Sequence, residues 1–190
     1  VQVYLRMFVV DCRPYGGEGQ RHALIVSILR WLEAESETKQ WHDCVHFKLA
    51  GIWDQNDFLF HNELLVGCLK SKKIDPFIKH WLVGVRLVER AWDGRGGRLA
   101  KDMNWGEVDF FEKNLSMGKV HLEYAYLLRP NSLYPAYKLI SVALAGQDRE
   151  YEPVDWFRRC VEKRFDHYPS YYSVMSSMLP RWGGSLGQFR

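Results

Sequence analysis

Apolar residues along this chain recur at helical spacing. Between Gly19 and Glu37, the residues Leu24, Ile25, Ile28, Leu29 and Leu32 fall on one stripe, three or four positions apart. Trp41, Val45, Leu49 and Ile52 repeat that pattern, as do Phe60, Leu64, Leu65, Cys68 and Leu69. Asp75-Pro76 is a start signal, because proline lacks an N–H at a place where a helix leaves one unpaired anyway. From there Phe77, Trp81, Val85, Val88 and Trp92 line one face until Asp93-Gly94-Arg95-Gly96-Gly97 interrupts it. A long helix is predicted from about Trp105 to Arg129, with Asn104 as its cap and Pro130 as its stop. Residues 1–10 alternate enough for a strand and read equally well as a helix.

A short motif repeats. Tyr134-Pro135-Ala136-Tyr137 returns as Tyr168-Pro169-Ser170-Tyr171, displaced by 34 residues, the period of helix-turn-helix tetratricopeptide repeats. Ala125 followed five positions later by Pro130 resembles the end of such a repeat. Between the two copies, Glu152-Pro153 opens a further helix carrying Val154, Phe157, Val161 and Phe165. The expected fold is all-α: stacked antiparallel helix hairpins in a tetratricopeptide-like right-handed solenoid. The whole chain, 1–190, is expected to form one helical domain. Residues 1–74 make an irregular helical part, and residues 75–190 make the repeat-like helices with a Pro-Arg-Trp-Gly-Gly-Ser tail.

Composition narrows the class without naming a task. Of 190 residues 47% are hydrophobic, and Trp 8, Tyr 10 and Phe 10 supply ample core material, which excludes a wholly disordered chain. Uncharged apolar runs such as Ala23 to Leu29 fall far short of the ~18 residues a membrane span needs. The net charge of +3 is spread out. Its densest clusters, Lys70-Ser71-Lys72-Lys73 and Arg158-Arg159 with Lys163-Arg164, read as solvated helix faces rather than a phosphate-binding stripe. The four cysteines contain no CxxC pair, so they are expected to be reduced and mostly buried in a cytoplasmic protein.

A resemblance rests on specific residues of the second half. Ala91-Trp92-Asp93-Gly94-Arg95-Gly96, Leu127-Leu128-Arg129-Pro130, Trp156-Phe157 and Tyr168-Pro169-Ser170-Tyr171 lead to Pro180-Arg181-Trp182-Gly183-Gly184-Ser185. Over roughly residues 80–187 the chain thereby resembles an uncharacterised bacterial family of tetratricopeptide-like proteins, domain-of-unknown-function family 4034. The resemblance implies a helical fold and a bacterial origin. It implies no activity and no catalytic residue.

Each motif that offers chemistry has a plainer reading beside it. His42-Asp43-Cys44-Val45-His46 puts two histidines at i and i+4, as a zincin does, but aspartate is a methylene short of the glutamate such sites use as base. A metal-dependent hydrolase built on His42 and His46, with His61 or Glu63 as a third ligand, is therefore the alternative reading. Gly183-Gly184-Ser185-Leu186-Gly187 matches a nucleophile elbow in letters but follows a helix, and neither an acid nor a histidine comes after it. Gly16-Gly17-Glu18-Gly19 and Gly94-Arg95-Gly96-Gly97 lack the Lys-Ser/Thr of a phosphate loop and read as turns, although Gly94 to Arg98 also has the composition of a weak RNA contact. Asn114-Leu115-Ser116 is a glycosylation sequon placed mid-helix.

The tyrosines offer the preferred site. Tyr134, Tyr137, Tyr168, Tyr171 and Tyr172 lie at the starts of two helices that the repeat places side by side. Tyr137 and Tyr171 are read as packing between hairpins. Tyr134, Lys138, Tyr168 and Tyr172 are read as lining a partner-binding groove, since tyrosine and basic residues anchor interfaces. Arg181 and Trp182 join them at the end of the stack, the indole covering it and the guanidinium reaching helix-end carbonyls or an acidic partner. The expected function is that of a non-enzymatic, cofactor-free module binding another protein or peptide, with a toxin-neutralising immunity protein as one form. Membrane and nucleic acid are not expected as partners.

Overall fold

A computed structural model describes residues 18–38, 49, 58–148, 150–182, 185 and 187. Seven α-helices and two single 3-10 turns account for most of the described residues, with no strand among them. The all-α class expected from the periodicity is what is observed. The predicted stripe from Trp41 to Ile52 and the ambiguous stretch 1–10 lie outside the described residues, Leu49 excepted.

The chain divides into two compact units, Val1–Asp75 and Pro76–Arg190. In the first, α1 (Glu18–Thr38) packs on α2 (Phe58–Lys70). Leu24, Ile25, Ile28 and Leu32 are buried on α1, and Phe60, Leu64 and Cys68 on α2, much as the stripes predicted. Leu69 departs from its stripe and is exposed. The helices approach closely at Gly67, where an added Cβ would stand 2.5 Å from a Leu29 methyl. Ser71 Oγ donates to the Glu33 carboxylate at 2.6 Å, tying the end of α2 to α1.

The second unit contains α3 (Pro76–Arg95), α4 (Trp105–Leu128), α5 (Leu133–Leu144), α6 (Pro153–Lys163) and α7 (Tyr168–Ser177). Helix α3 opens at the predicted proline. It closes where Gly96, at φ 59°, adopts the left-handed conformation that only glycine takes at little cost, its N–H reaching the Trp92 carbonyl at 2.8 Å. Asn104 caps α4 as predicted: its side chain accepts from the Glu107 N–H, and the Glu107 carboxylate accepts from the Asn104 N–H, both at 3.0 Å. Helices α3 and α4 form the most extensive contact in the unit. They can do so because Gly84 and Gly118 face one another; a Cβ on Gly84 would fall 2.6 Å from Leu122 Cγ and 3.1 Å from the Gly118 carbonyl.

Helix α5 is the hub, touching α3, α4, α6 and α7. Leu133, Tyr134, Pro135, Ala136, Leu139, Ile140, Val142 and Ala143 are all buried on it. A twelve-residue helix so apolar on nearly every side needs neighbours all round. Pro153 opens α6 at the predicted place, with the Asp155 carboxylate accepting from the Glu152 N–H at 3.0 Å.

Candidate interaction site

The six residues proposed from sequence for partner binding are distributed over three settings. Tyr134 is 5% exposed, its ring set edge-on to Trp81 of α3 and to His167 at the entrance to α7. Its expected place in an open groove is therefore corrected: the aromatic face is covered on both sides and serves the core. Lys138 is half-buried, lies 3.6 Å from the Glu89 carboxylate of α3 and stands 5.8 Å from the centre of the Tyr137 ring. Its charge thus has a partner within the fold. Tyr137 packs against His167, and Tyr171 against Phe157 and Phe165, which agrees with the packing role expected of that pair.

Tyr168 and Tyr172 behave differently. They are 74% and 67% exposed, one helical turn apart on α7, while Ser170 and Val174 on the opposite side of the helix are buried. Met175 on α7 is also exposed, so the open side of the helix reads Tyr168, Tyr172, Met175; Phe165 in the turn before α7 and Leu179 just after it are exposed at its two ends. The spacing of four and then three is that of a seam one helix offers another. The sequence reading had Tyr168 and Tyr172 but missed Met175, three positions after Tyr172 on the same face; Phe165, expected on the helix opened by Pro153, lies beyond its end at Lys163.

Trp182 lies in the 3-10 turn Pro180–Trp182, whose Trp182 N–H donates to the Leu179 carbonyl at 2.8 Å. Its ring stands edge-on to Trp92 at 5.4 Å, and the buried Arg95 guanidinium lies 4.7 Å from its centre. The same guanidinium sits 5.3 Å from both Trp92 and Phe111, so three aromatic faces enclose one cation. The side chain of Arg181 lies outside the described residues. Trp182 also borders a cavity of about 630 Å³ between the end of α5, the start of α6 and the inner side of α7, with Leu144, Gly146, Val154 and Met178 in its wall and Glu152 among its polar groups.

One organising residue had no signal in the motif reading. The carboxylate of Asp148, in the α5–α6 loop, accepts from Trp156 Nε1 at 2.8 Å, Lys119 Nζ at 3.0 Å and the N–H groups of Glu150 and Tyr151 at 3.1 and 3.2 Å. Burial by itself would raise its pKa. The bonds from Trp156, Lys119 and the two N–H groups outweigh that and hold it below the usual carboxylate range. Trp156 and Tyr151 in turn carry the Arg159 guanidinium at 4.2 and 3.9 Å from their ring centres. Only the fold brings Lys119, Asp148 and Trp156 together, since no local spacing marks them.

The motifs that suggested chemistry are placed as follows. His42 and His46 lie outside the described residues, as do Gly183, Gly184 and Leu186 of the elbow-like run. Among the described residues no three histidine, cysteine or acidic side chains cluster as a metal site. In the Gly94–Arg98 loop, Arg95 is enclosed as above, and Arg98 bonds Glu107 at 2.7 Å and the Gly94 carbonyl at 2.9 Å. Both guanidinium groups work within the fold. Asn114 is buried and donates to the Phe110 carbonyl at 2.7 Å, which closes the sequon to glycosylation. Cys68 and Cys160 are buried thiols, and burial pushes the Cys160 thiol up to about 11. No helix among the described residues is long and apolar enough to cross a membrane.

Comparison of the chain with family models, with curated proteins and with solved structures finds no match.

Proposed function

We propose that this protein is a non-enzymatic, tetratricopeptide-like helical-repeat module, cytoplasmic in location, that binds another protein by accepting one of its helices on α7. The observation that carries the reading is the exposed seam of α7, with Tyr168 and Tyr172 at its centre. Within the fold α7 packs on α5, and α5 on α3, so each of these helices covers part of the one before it. The open side of α7 offers the next place in that series. A partner's amphipathic helix suits it, because large amphipathic rings at helical spacing bury much apolar area with few torsions to freeze. A toxin-neutralising immunity protein is one form of this reading, in which the bound helix belongs to the toxin.

The test is affinity capture from native lysate with the wild-type chain and with a Tyr168→Lys/Tyr172→Lys double variant. A single stoichiometric protein retained by the wild type and lost from the double variant supports the reading. Equal capture by both chains, or no stoichiometric protein on the wild type, sinks it. For the immunity form, the captured protein alone is expected to arrest growth when expressed, and co-expression of this chain to restore it.

A further inference from the structure

We propose that His80 and His121 form a two-histidine chelate for a divalent first-row transition metal of the zinc, nickel and copper class. His80 lies on α3 and His121 on α4, and their Nδ1 atoms stand 3.0 Å apart, with ring centres 5.0 Å apart and ring planes inclined by 32°. Neither the histidine pair of the sequence motif nor the α7 seam includes these residues.

The separation suits a metal as well as a hydrogen bond. Two imidazole nitrogens, each ~2.0–2.1 Å from one ion, stand about 2.9 Å apart at a right angle and about 3.4 Å apart at the tetrahedral angle. The observed 3.0 Å falls inside that range without any helix moving. The backbone here is held firmly. Gly84, one turn after His80, and Gly118, just under one turn before His121, let α3 and α4 approach closely there. A chelate spanning two rigidly packed helices avoids most of the ordering cost that a pair of surface side chains would incur. The Tyr124 ring lies 4.5 Å from that of His80 and shields one side of the pair.

Protonation favours the same role. Burial lowers the pKa of both rings, and the neighbouring His80 lowers that of His121 further, so both are neutral at pH 7. In the metal-free pair one Nδ1 carries the hydrogen and donates it to the other. On binding, that hydrogen passes through solvent to Nε2 of its own ring, and the metal takes the place between the two Nδ1 lone pairs. Both rings stay neutral and no net proton is released above their pKa values; below them, protons compete. Imidazole ligands favour this group of ions, with copper the tightest in the usual order. Two protein ligands leave the remaining positions to water or to an incoming anionic group.

The experiment uses the whole chain without an affinity tag, since the sequence has His 7. Ni²⁺ titrated by calorimetry is expected to bind one equivalent. His80→Gln or His121→Gln should weaken that binding at least tenfold, whereas His42→Gln/His46→Gln should leave it unchanged. One equivalent of Cu²⁺ should give an electron paramagnetic resonance spectrum split by two nitrogens, reduced to one in either single variant. Binding unchanged in both single variants, or lost in the His42/His46 variant, overturns the proposal. Protection from diethyl pyrocarbonate needs no mutation: bound Ni²⁺ should shield His80 and His121, and equal modification with and without the metal refutes the chelate even if a variant fails to fold.

Discussion

Tyr134 and Tyr168 hold the same position in two copies of one motif, each in the first turn of its helix, yet one is in the core and the other faces outward. The last two positions of the two copies agree. Ala136 and Ser170 are both buried, and Tyr137 and Tyr171 are both half-buried against neighbouring rings. The difference comes from what lies beyond the helix pair. Tyr134 has Trp81 on one side and His167 on the other, whereas the equivalent side of α7 belongs to the exposed seam. A motif of this kind therefore encodes where a helix starts and which positions point into its own pair. It leaves the fate of its first ring to the neighbour.

The largest expected effect separates the two tyrosines directly. Tyr134→Ala should cost about 3–5 kcal/mol of stability in urea titrations followed by tryptophan fluorescence, as for other large buried rings. Tyr168→Ala should cost under about 0.5 kcal/mol, as exposed positions do. Similar losses for both would break the comparison. Next is Asp148→Asn, which removes the charge from a buried carboxylate bonded to Lys119 and Trp156 and should cost about 2 kcal/mol. The sign of its pH dependence follows from a folded pKa below the unfolded value of about 3.9. Its stabilisation is present above that value and is lost as pH falls through the lower, folded one, so the variant should flatten the acid limb of a stability profile.

Gly84→Ala tests the close approach of α4 to α3, the helix whose Trp81 meets Tyr134. Its Cβ would meet Leu122 and the Gly118 carbonyl, and overpacking of this kind costs about 1–3 kcal/mol. A neutral Gly84→Ala in denaturant titrations would show that the helices separate at no cost. Ser170→Ala sharpens the contrast at the third motif position. The Ser170 hydroxyl lies 2.7 Å from His167 Nδ1, and its loss should cost about 1 kcal/mol. The reciprocal Ala136→Ser should be destabilising too, because a hydroxyl would enter an apolar site.

The smallest effect is one of pH. Burial chiefly, with help from Arg164 and against Asp166, lowers the pKa of His167, and burial also lowers those of His80 and His121. A histidine whose folded pKa is depressed contributes stability above its unfolded value of about 6.5, and that contribution is lost as pH falls through the folded value. Denaturation midpoints should therefore drop between pH 7 and pH 5, and less steeply in His167→Gln. An equal slope in that variant would remove His167 from the account.

Helix positions were legible in the chain because their signals are local. Asn104 caps α4 and Gly96 closes α3 just beyond Arg95 through hydrogen bonds made within one turn, and Pro76 and Pro153 open α3 and α6 where the missing N–H costs nothing. Of the candidate site, Tyr168 and Tyr172 were found by residue type, and Met175 shares their seam. Tyr134 was misplaced because residue type alone does not distinguish a covered ring from an open one. Lys138 was read as lining the groove, but its ion pair with Glu89 spans two helices and left no trace in local spacing.

The amino-acid order by itself determined the all-α class, the starts of α3, α4 and α6 and most of the inward stripes of α1, α2 and α3, since each depends on contacts between residues a few positions apart; on α6 the buried residues are Trp156 and Cys160, not the expected Val154, Phe157, Val161 and Phe165. Tertiary structure alone decided which aromatic rings are covered, which cations are enclosed and which titratable groups meet. Arg95 among three rings, Asp148 joining Lys119 to Trp156, and His80 facing His121 are all pairings between separate elements. Their energies depend on distance and on exclusion of water, and both are set only when the helices have packed.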